Sequence, residues 1–124
     1  MATSRVLASA ELRAGELREV RVGECRVLLG RLRSGEAFAA APECPHEAAP
    51  LVGGTIRGEA VDCPRHHYLF DARTGENRYP VPIYPAWKRA EVGDLRLMVF
   101  RCEERGAWIW VELPLEGGRA ESPS

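Results

Sequence analysis

Short runs rich in apolar and β-favouring residues cover most of the chain, and polar turn residues separate them. Residues 17–23 and 24–32 form the first pair of runs, and residues 36–42 follow the turn at Ser34-Gly35. Helix signals are weak along the chain, and strand signals are frequent. Short strands with turn signals at close intervals predict an all-β fold, a sandwich or a barrel.

The same pattern continues towards the C-terminus. Residues 55–58, 60–63 and 67–71 read as short strands, and residues 73–76 read as a turn. Residues 95–102 and 107–113 predict one hairpin with its loop at 103–106. Residues 8–14 predict one helical turn at most. We expect a single domain over residues 1–116 and a disordered tail over 117–124, which are polar and rich in Gly, Pro and Ser.

Composition excludes several classes of function. The 124 residues carry a formal net charge of −1, which gives no general attraction to nucleic acid or an anionic membrane. No run approaches the ~18 apolar residues of a membrane span, and the N-terminus lacks the pattern of a signal peptide. A cytoplasmic protein is expected, in which Cys25 and Cys102 are small apolar core residues rather than a disulfide. Trp108 and Trp110 share one strand face; packing is the first interpretation and a partner surface the second.

Two similar blocks carry the candidate chemistry. The first is Cys44-Pro45-His46, and the second, after sixteen intervening residues, begins at Cys63 and ends at His66. Two thiolates and two imidazoles can hold one inorganic centre. The usual zinc-finger spacing is absent. One Cys and one His from each block suit a two-iron cluster with two Cys on one iron and two His on the other.

These blocks closely resemble the signature of Rieske [2Fe–2S] proteins, Cys-x-His followed by Cys-x-x-His. The resemblance extends to neighbouring residues and is most specific over residues 44–75. The further matches are Ala49-Pro50-Leu51, Phe70-Asp71, Thr74-Gly75 and Tyr79-Pro80-Val81. It implies a Rieske-like antiparallel sandwich or barrel with a small cluster-binding subdomain at about residues 42–83.

The resemblance also implies the ligands of the cluster. Cys44 and Cys63 would hold one iron, and His46 and His66 the other. Residues 80–82 would form a third loop that shields the cluster. The sequence departs from the family at Ala48 and at His67, where glycine is usual. His67 is an alternative ligand to His66, and its other interpretations are a solvent-facing side chain and a role in docking or proton transfer.

The resemblance further implies a function. The extra cysteines of the respiratory-chain branch are missing, as are the motifs of a small-molecule substrate site. We therefore expect a soluble ferredoxin, a one-electron carrier rather than an enzyme, with a reductase as donor and an oxygenase or similar enzyme as acceptor. The alternatives are the small subunit of a nitrite-reductase-like enzyme and a zinc-binding or metal-free structural module.

Two positions bear on the reduction potential. High-potential members of the family carry Ser two residues after the second ligand His and Tyr two residues further on, and both hydroxyls donate to cluster sulfurs. Here these positions are Tyr68 and Phe70. The resemblance therefore implies that both donors are missing and that the potential lies low in the Rieske range.

Overall fold

The computed structural model describes residues 2–45, 50–64, 69–78 and 96–113. Within these ranges the chain forms antiparallel strands and two single turns of 3₁₀ helix. The strands are, in chain order, β1 (Ala2–Ala8), β2 (Leu17–Val22), β3 (Cys25–Arg31), β4 (Ala37–Ala40), β5 (Thr55–Arg57), β6 (Ala60–Asp62), β7 (Leu69–Asp71), β8 (Val99–Phe100), β9 (Cys102–Arg105) and β10 (Trp108–Leu113). The 3₁₀ turns are Ser9–Glu11 and Leu51–Gly53. The predicted all-β class is confirmed.

The strands form three antiparallel sheets. Their strand orders are β1-β10-β9, β2-β3-β4-β8 and β5-β6-β7. No helix among the described residues is long and apolar enough to cross a membrane.

The four-stranded sheet is buried on both faces, which explains the unbroken apolar run in β3. Successive side chains of a strand point to opposite faces, so Leu28 contributes to one core and Leu29 to the other. The first core lies between this sheet and β5-β6-β7, and the second lies between it and β1-β10-β9. Members of the first core are Leu28, Leu32, Phe38, Ala40, Cys44, Leu51, Ile56, Val61, Cys63, Phe70, Ala72 and Leu97. Members of the second core are Leu12, Val27, Leu29, Ala39, Ile109, Val111 and Leu113.

Two of the predicted elements differ from those in the structure. The run at 95–102 does not continue as one strand, because β8 pairs with β4 while β9 pairs with β10. The hairpin at the C-terminus is present, but its loop is shorter than predicted, since Glu103 and Glu104 lie in β9. Strand β1 was not predicted at all; a register irregularity between Arg5 and Leu7 interrupts its alternation.

The two tryptophans lie on the face of β10 that points away from the second core. Trp108 is 39% exposed and Trp110 is partly exposed. The Arg5 guanidinium lies 4.3 Å from the Trp108 ring centroid, and that of Arg105 lies 4.6 Å from the Trp110 centroid. Both rings are therefore covered in part by cation–π contacts instead of a core.

Arg31, at the end of β3, joins three segments of the chain. Its guanidinium donates to the carbonyl oxygens of Leu12 (2.7 Å), Ser9 (3.1 Å) and Gly35 (2.7 Å). It also forms a bidentate pair with the Glu104 carboxylate at 2.8 and 3.0 Å. The Arg31 side chain is 13% exposed and that of Glu104 is 32% exposed, so this network is partly shielded from water.

We expect Arg31→Met to lower the free energy of unfolding by about 2–4 kcal/mol, because it leaves partly buried acceptors without their charged donor. Urea unfolding of the variant beside the wild type measures this. The exposed Arg18, which contacts Glu11 at 3.6 Å, provides the control, since Arg18→Met should change stability little. Equal losses in the two variants would contradict the role given to Arg31.

The Arg31–Glu104 pair also predicts a dependence on pH. The hydrogen bonds from Arg31 hold the pKa of Glu104 below its ordinary value of 4.5, and burial opposes this only in part. Because the folded-state pKa is depressed, the stabilisation is complete above the unfolded-state pKa and is lost as pH falls through the folded-state pKa. Glu104→Gln should therefore flatten the dependence of stability on pH below about pH 4.5.

Candidate metal centre

Cys44 and Cys63 come from different loops and enter the same core. Their exposed fractions are 1% and 0%, and both pack in the first core with Leu51, Val61 and Phe70. All four cysteines of the chain lie in the described part, and none forms a disulfide with another. The structure thus brings together the two thiols that the sequence singled out.

The first loop is closed at its base by backbone pairing. Glu43 and Pro50 form an isolated antiparallel bridge, and the Leu51 N–H donates to the Pro42 carbonyl at 2.9 Å. The 3₁₀ turn Leu51–Gly53 follows, with Leu51 fully buried. This explains the motif Ala49-Pro50-Leu51 in part: Leu51 anchors the end of the loop in the core that contains Cys44.

The second loop connects β6 to β7. Asp62 pairs with Leu69 across the two strands, so residues 63–68 form the connection. Gly54, at the end of the first loop, packs directly against its start. A Cβ at Gly54 would collide with the Asp62 carbonyl and approach the Pro64 Cδ at 3.2 Å. The absence of a side chain at Gly54 therefore lets the two loops meet.

The motif residues Asp71, Thr74 and Gly75 build the turn after β7. The Asp71 carboxylate accepts hydrogen bonds from the N–H groups of Arg73 (2.8 Å) and Thr74 (3.1 Å), and the Thr74 hydroxyl accepts one from the Glu76 N–H (3.1 Å). Gly75 has φ +79°. Burial would raise the pKa of Asp71, but these N–H donors and the nearby Arg78 and Arg73 hold it below its ordinary value. This part of the signature is a structural turn.

The other predicted site residues lie outside the described ranges. These are His46, His66 and His67, together with Ala48, Tyr68 and residues 80–82. The predicted ligand set, Cys44, His46, Cys63 and His66, therefore stays a prediction. Among the described residues there is no group of three or more metal-ligating side chains.

The chemistry of the described donors fits an iron–sulfur centre. Cys44 and Cys63 offer two soft sulfur atoms from two loops that meet in a core, and thiolates suit iron–sulfur clusters and other soft metals. Cys25 and Cys102 are only half-buried and pack against the second core, on the other side of the four-stranded sheet. Burial raises the pKa of the Cys102 thiol to about 12, so it is a poor source of thiolate.

Three arginines near the loops were not predicted as functional. Arg26 donates to Glu43 (2.9 Å) and Glu19 (3.1 Å), and Arg57 donates to Asp62 (2.5 Å). The third, Arg73, is described below. Glu43 and Asp62 each directly precede one of the buried cysteines. The repeat of a carboxylate before each Cys was visible in the sequence, but its arginine partners were not.

Arg73 links the β5-β6-β7 sheet to the four-stranded sheet. Its guanidinium contacts Glu36 at 2.5 Å, beside β4, and Glu59 at 2.6 Å, beside β6. These hydrogen bonds raise the pKa of Arg73 above its ordinary value. Arg73 therefore remains charged and joins the sheet that carries the second loop to the rest of the fold.

Comparison with known protein families identifies the family of this chain. The model of the Rieske [2Fe-2S] domain matches residues 2–86, more than half of the chain. The chain belongs to the Rieske [2Fe-2S] domain family. Its cofactor is accordingly a [2Fe–2S] cluster, the group that a Rieske domain binds.

Solved structures of Rieske proteins share the fold. The ferredoxin of Sphingomonas yanoikuyae B1 superposes with a TM-score of 0.72 at 21% identity, over 91% of this chain and 100% of that one. A chain from a complex of reduced oxygenase and oxidised ferredoxin in carbazole 1,9a-dioxygenase gives a TM-score of 0.69 at 26% identity, over 88% of this chain and 91% of that one.

Curated relatives match over shorter stretches. Apoptosis-inducing factor 3 of Homo sapiens is 41% identical over 66 residues, which are 53% of this chain and 11% of that protein. The ferredoxin CarAc of Metapseudomonas resinovorans is 34% identical over 73 residues, 57% of this chain and 66% of that protein. The match to Apoptosis-inducing factor 3 thus spans about a ninth of that relative's length.

Proposed function

We propose that this Rieske protein is a ferredoxin, a one-electron carrier that receives an electron from a reductase and passes it to an oxygenase or a similar redox enzyme. The observation that carries the proposal is the meeting of Cys44 and Cys63 in one buried core at the base of two loops. A [2Fe–2S] cluster bound there supplies reversible one-electron chemistry. The likeness to ferredoxins and to an oxygenase–ferredoxin complex supports this role.

The ligand roles follow the family signature. Cys44 and Cys63 hold one iron, and His46 and His66 hold the other. The first core surrounds the two cysteines with aliphatic and aromatic side chains and so keeps water from their sulfurs. Asp71, Thr74 and Gly75 fix the turn that follows β7, and the described Arg contacts hold the loops to the sheets. In this proposal the protein acts in the cytoplasm, and its partners are redox proteins rather than a small-molecule substrate.

The purified protein tests the proposal directly. We expect about two iron and two sulfide per chain, a red-brown colour, and uptake of one electron per chain in an anaerobic titration. Reduced protein should then pass that electron to an added acceptor such as cytochrome c. Bound zinc with no visible absorbance, or no metal at all, would instead support the structural module.

The midpoint potential should lie in the lower part of the Rieske range of about −150 to +300 mV. Phe70 is fully buried in the core that contains both cysteines, and its ring has no hydroxyl to donate to a sulfur. Phe70→Tyr should raise the potential, because a donor stabilises the more negative reduced cluster. Protein-film voltammetry measures the change.

Phe100→Tyr is the matched control for this variant. Phe100 packs against the second core, and the four-stranded sheet separates it from Cys44 and Cys63. A hydroxyl there should therefore leave the potential unchanged. A wild-type midpoint above about +150 mV, or equal shifts in both variants, would contradict the argument.

A further inference from the structure

The two carboxylates that precede the cysteines differ in their surroundings. Asp62 has a side chain that is 5% exposed, and the Arg57 Nε lies 2.5 Å from its Oδ2. Glu43 is held at 2.9 Å by Arg26, but its side chain is 45% exposed. These two acid–arginine pairs therefore differ in one respect. The carboxylate of Asp62 is buried, and that of Glu43 is in contact with water.

Burial decides how far a fixed charge acts. Solvent screens the interaction between exposed charges, whereas a buried charge is screened much less. Asp62 directly precedes the fully buried Cys63 and pairs with Leu69 across the base of the second loop. Its carboxylate therefore lies one residue from a proposed ligand of the cluster, in a region that water reaches poorly.

Arg57, one of the partners of Asp62, is placed differently. The side chain of Arg57 is 67% exposed, so its positive charge offsets the Asp62 charge only in part as seen from the buried side. Removing either member of the pair should change the field at Cys63, and the two changes should have opposite signs.

We propose that the Arg57–Asp62 pair sets the reduction potential of the metal centre: Asp62 lowers the potential, and Arg57 limits that effect. The inference rests on the proposed function, in which Cys63 is a ligand of the cluster. Reduction adds one electron from an external donor, and with it one unit of negative charge, while no bond is made or broken. A buried carboxylate nearby opposes that added charge, and its arginine partner favours it.

The test measures midpoint potentials by voltammetry on the loaded protein, with the iron content of each variant determined in parallel. Asp62→Asn should favour reduction about tenfold, which is a rise of about 59 mV for a one-electron couple. Arg57→Met should lower the potential by a smaller amount. The matched control, Glu43→Gln, should shift the potential little, and raising the salt concentration should remove that shift before it removes the shift of Asp62→Asn.

Several outcomes would overturn the inference. They are equal shifts in Asp62→Asn and Glu43→Gln, a potential that Arg57→Met raises or leaves unchanged, and loss of iron from both Arg57→Met and Asp62→Asn. The last result would show that the pair only holds the loop. If Asp62→Asn alone loses iron, the potential of Arg57→Met decides: a potential below that of the wild type supports the inference. A wild type that takes up no iron would refute the proposed function itself, and this inference with it.

Discussion

Replacing Cys63 by serine is expected to leave the purified protein without colour and nearly without iron. Cys63 is fully buried at the start of the second loop. A hydroxyl is a hard and weakly acidic ligand that replaces a thiolate poorly in an iron–sulfur centre. Cys44→Ser should behave alike, because Cys44 enters the same core from the first loop. Absorbance in the visible range and iron and sulfide analysis measure the loss.

The chain contains its own controls for this prediction. Cys25→Ser and Cys102→Ser should retain the full iron content, because both thiols pack against the second core. Circular dichroism and urea unfolding would show whether Cys63→Ser still folds, so that loss of cluster can be separated from loss of structure. Full colour in Cys63→Ser, or bleaching in Cys102→Ser, would contradict the assignment of Cys44 and Cys63.

The same measurement separates the two neighbouring histidines. With His66 as the ligand, His66→Gly should lose the cluster, while His67→Gly should keep it and restore the residue that the family usually has there. The opposite result would assign the second imidazole ligand to His67.

Strand pattern and core were predictable where one face or both faces of a strand are buried. The run Val27–Gly30 is apolar because Leu28 and Leu29 serve different cores, and burial on both faces gives a strong signal. Strand β1 gave a weak signal, since its register shifts between Arg5 and Leu7. The separation of β8 from β9 depends on β4 and β10, which pair from other parts of the chain, so local sequence could not reveal it.

Among the described residues, the sequence pointed to Cys44 and Cys63, which the structure places in one core, and to none of the arginine contacts around them. The role of the two cysteines as ligands stays a prediction. The spacing of the Cys and His residues is a specific signal of a metal centre, whereas a surface arginine is not specific to any one role. The partners of Arg26, Arg57 and Arg73 depend on how the loops fold back on the sheets. A single sequence does not determine those contacts, although the acid before each Cys provides half of two of the pairs.

Gly75 shows how a residue of the signature can be required by the backbone around it. Its φ of +79° lies in the left-handed region, where a side chain costs about 1–2 kcal/mol. In addition, a Cβ there would collide with the Leu97 carbonyl, and the Leu97 N–H donates to the Gly75 carbonyl at 2.9 Å. Gly75 thus needs both its backbone conformation and its lack of a side chain.

We therefore expect Gly75→Ala to lower the free energy of unfolding by about 3 kcal/mol or more, since the left-handed conformation and the overpacking both contribute. Gly106→Ala is the matched control: Gly106 has φ +61°, but no atom of the described residues lies within 4 Å of the position of its Cβ. It should cost only the conformational part, about 1–2 kcal/mol. Urea unfolding of both variants measures the difference. If the two losses were equal, the close approach of Leu97 would carry no energetic weight, and the glycine of this signature would be explained by its backbone angle alone.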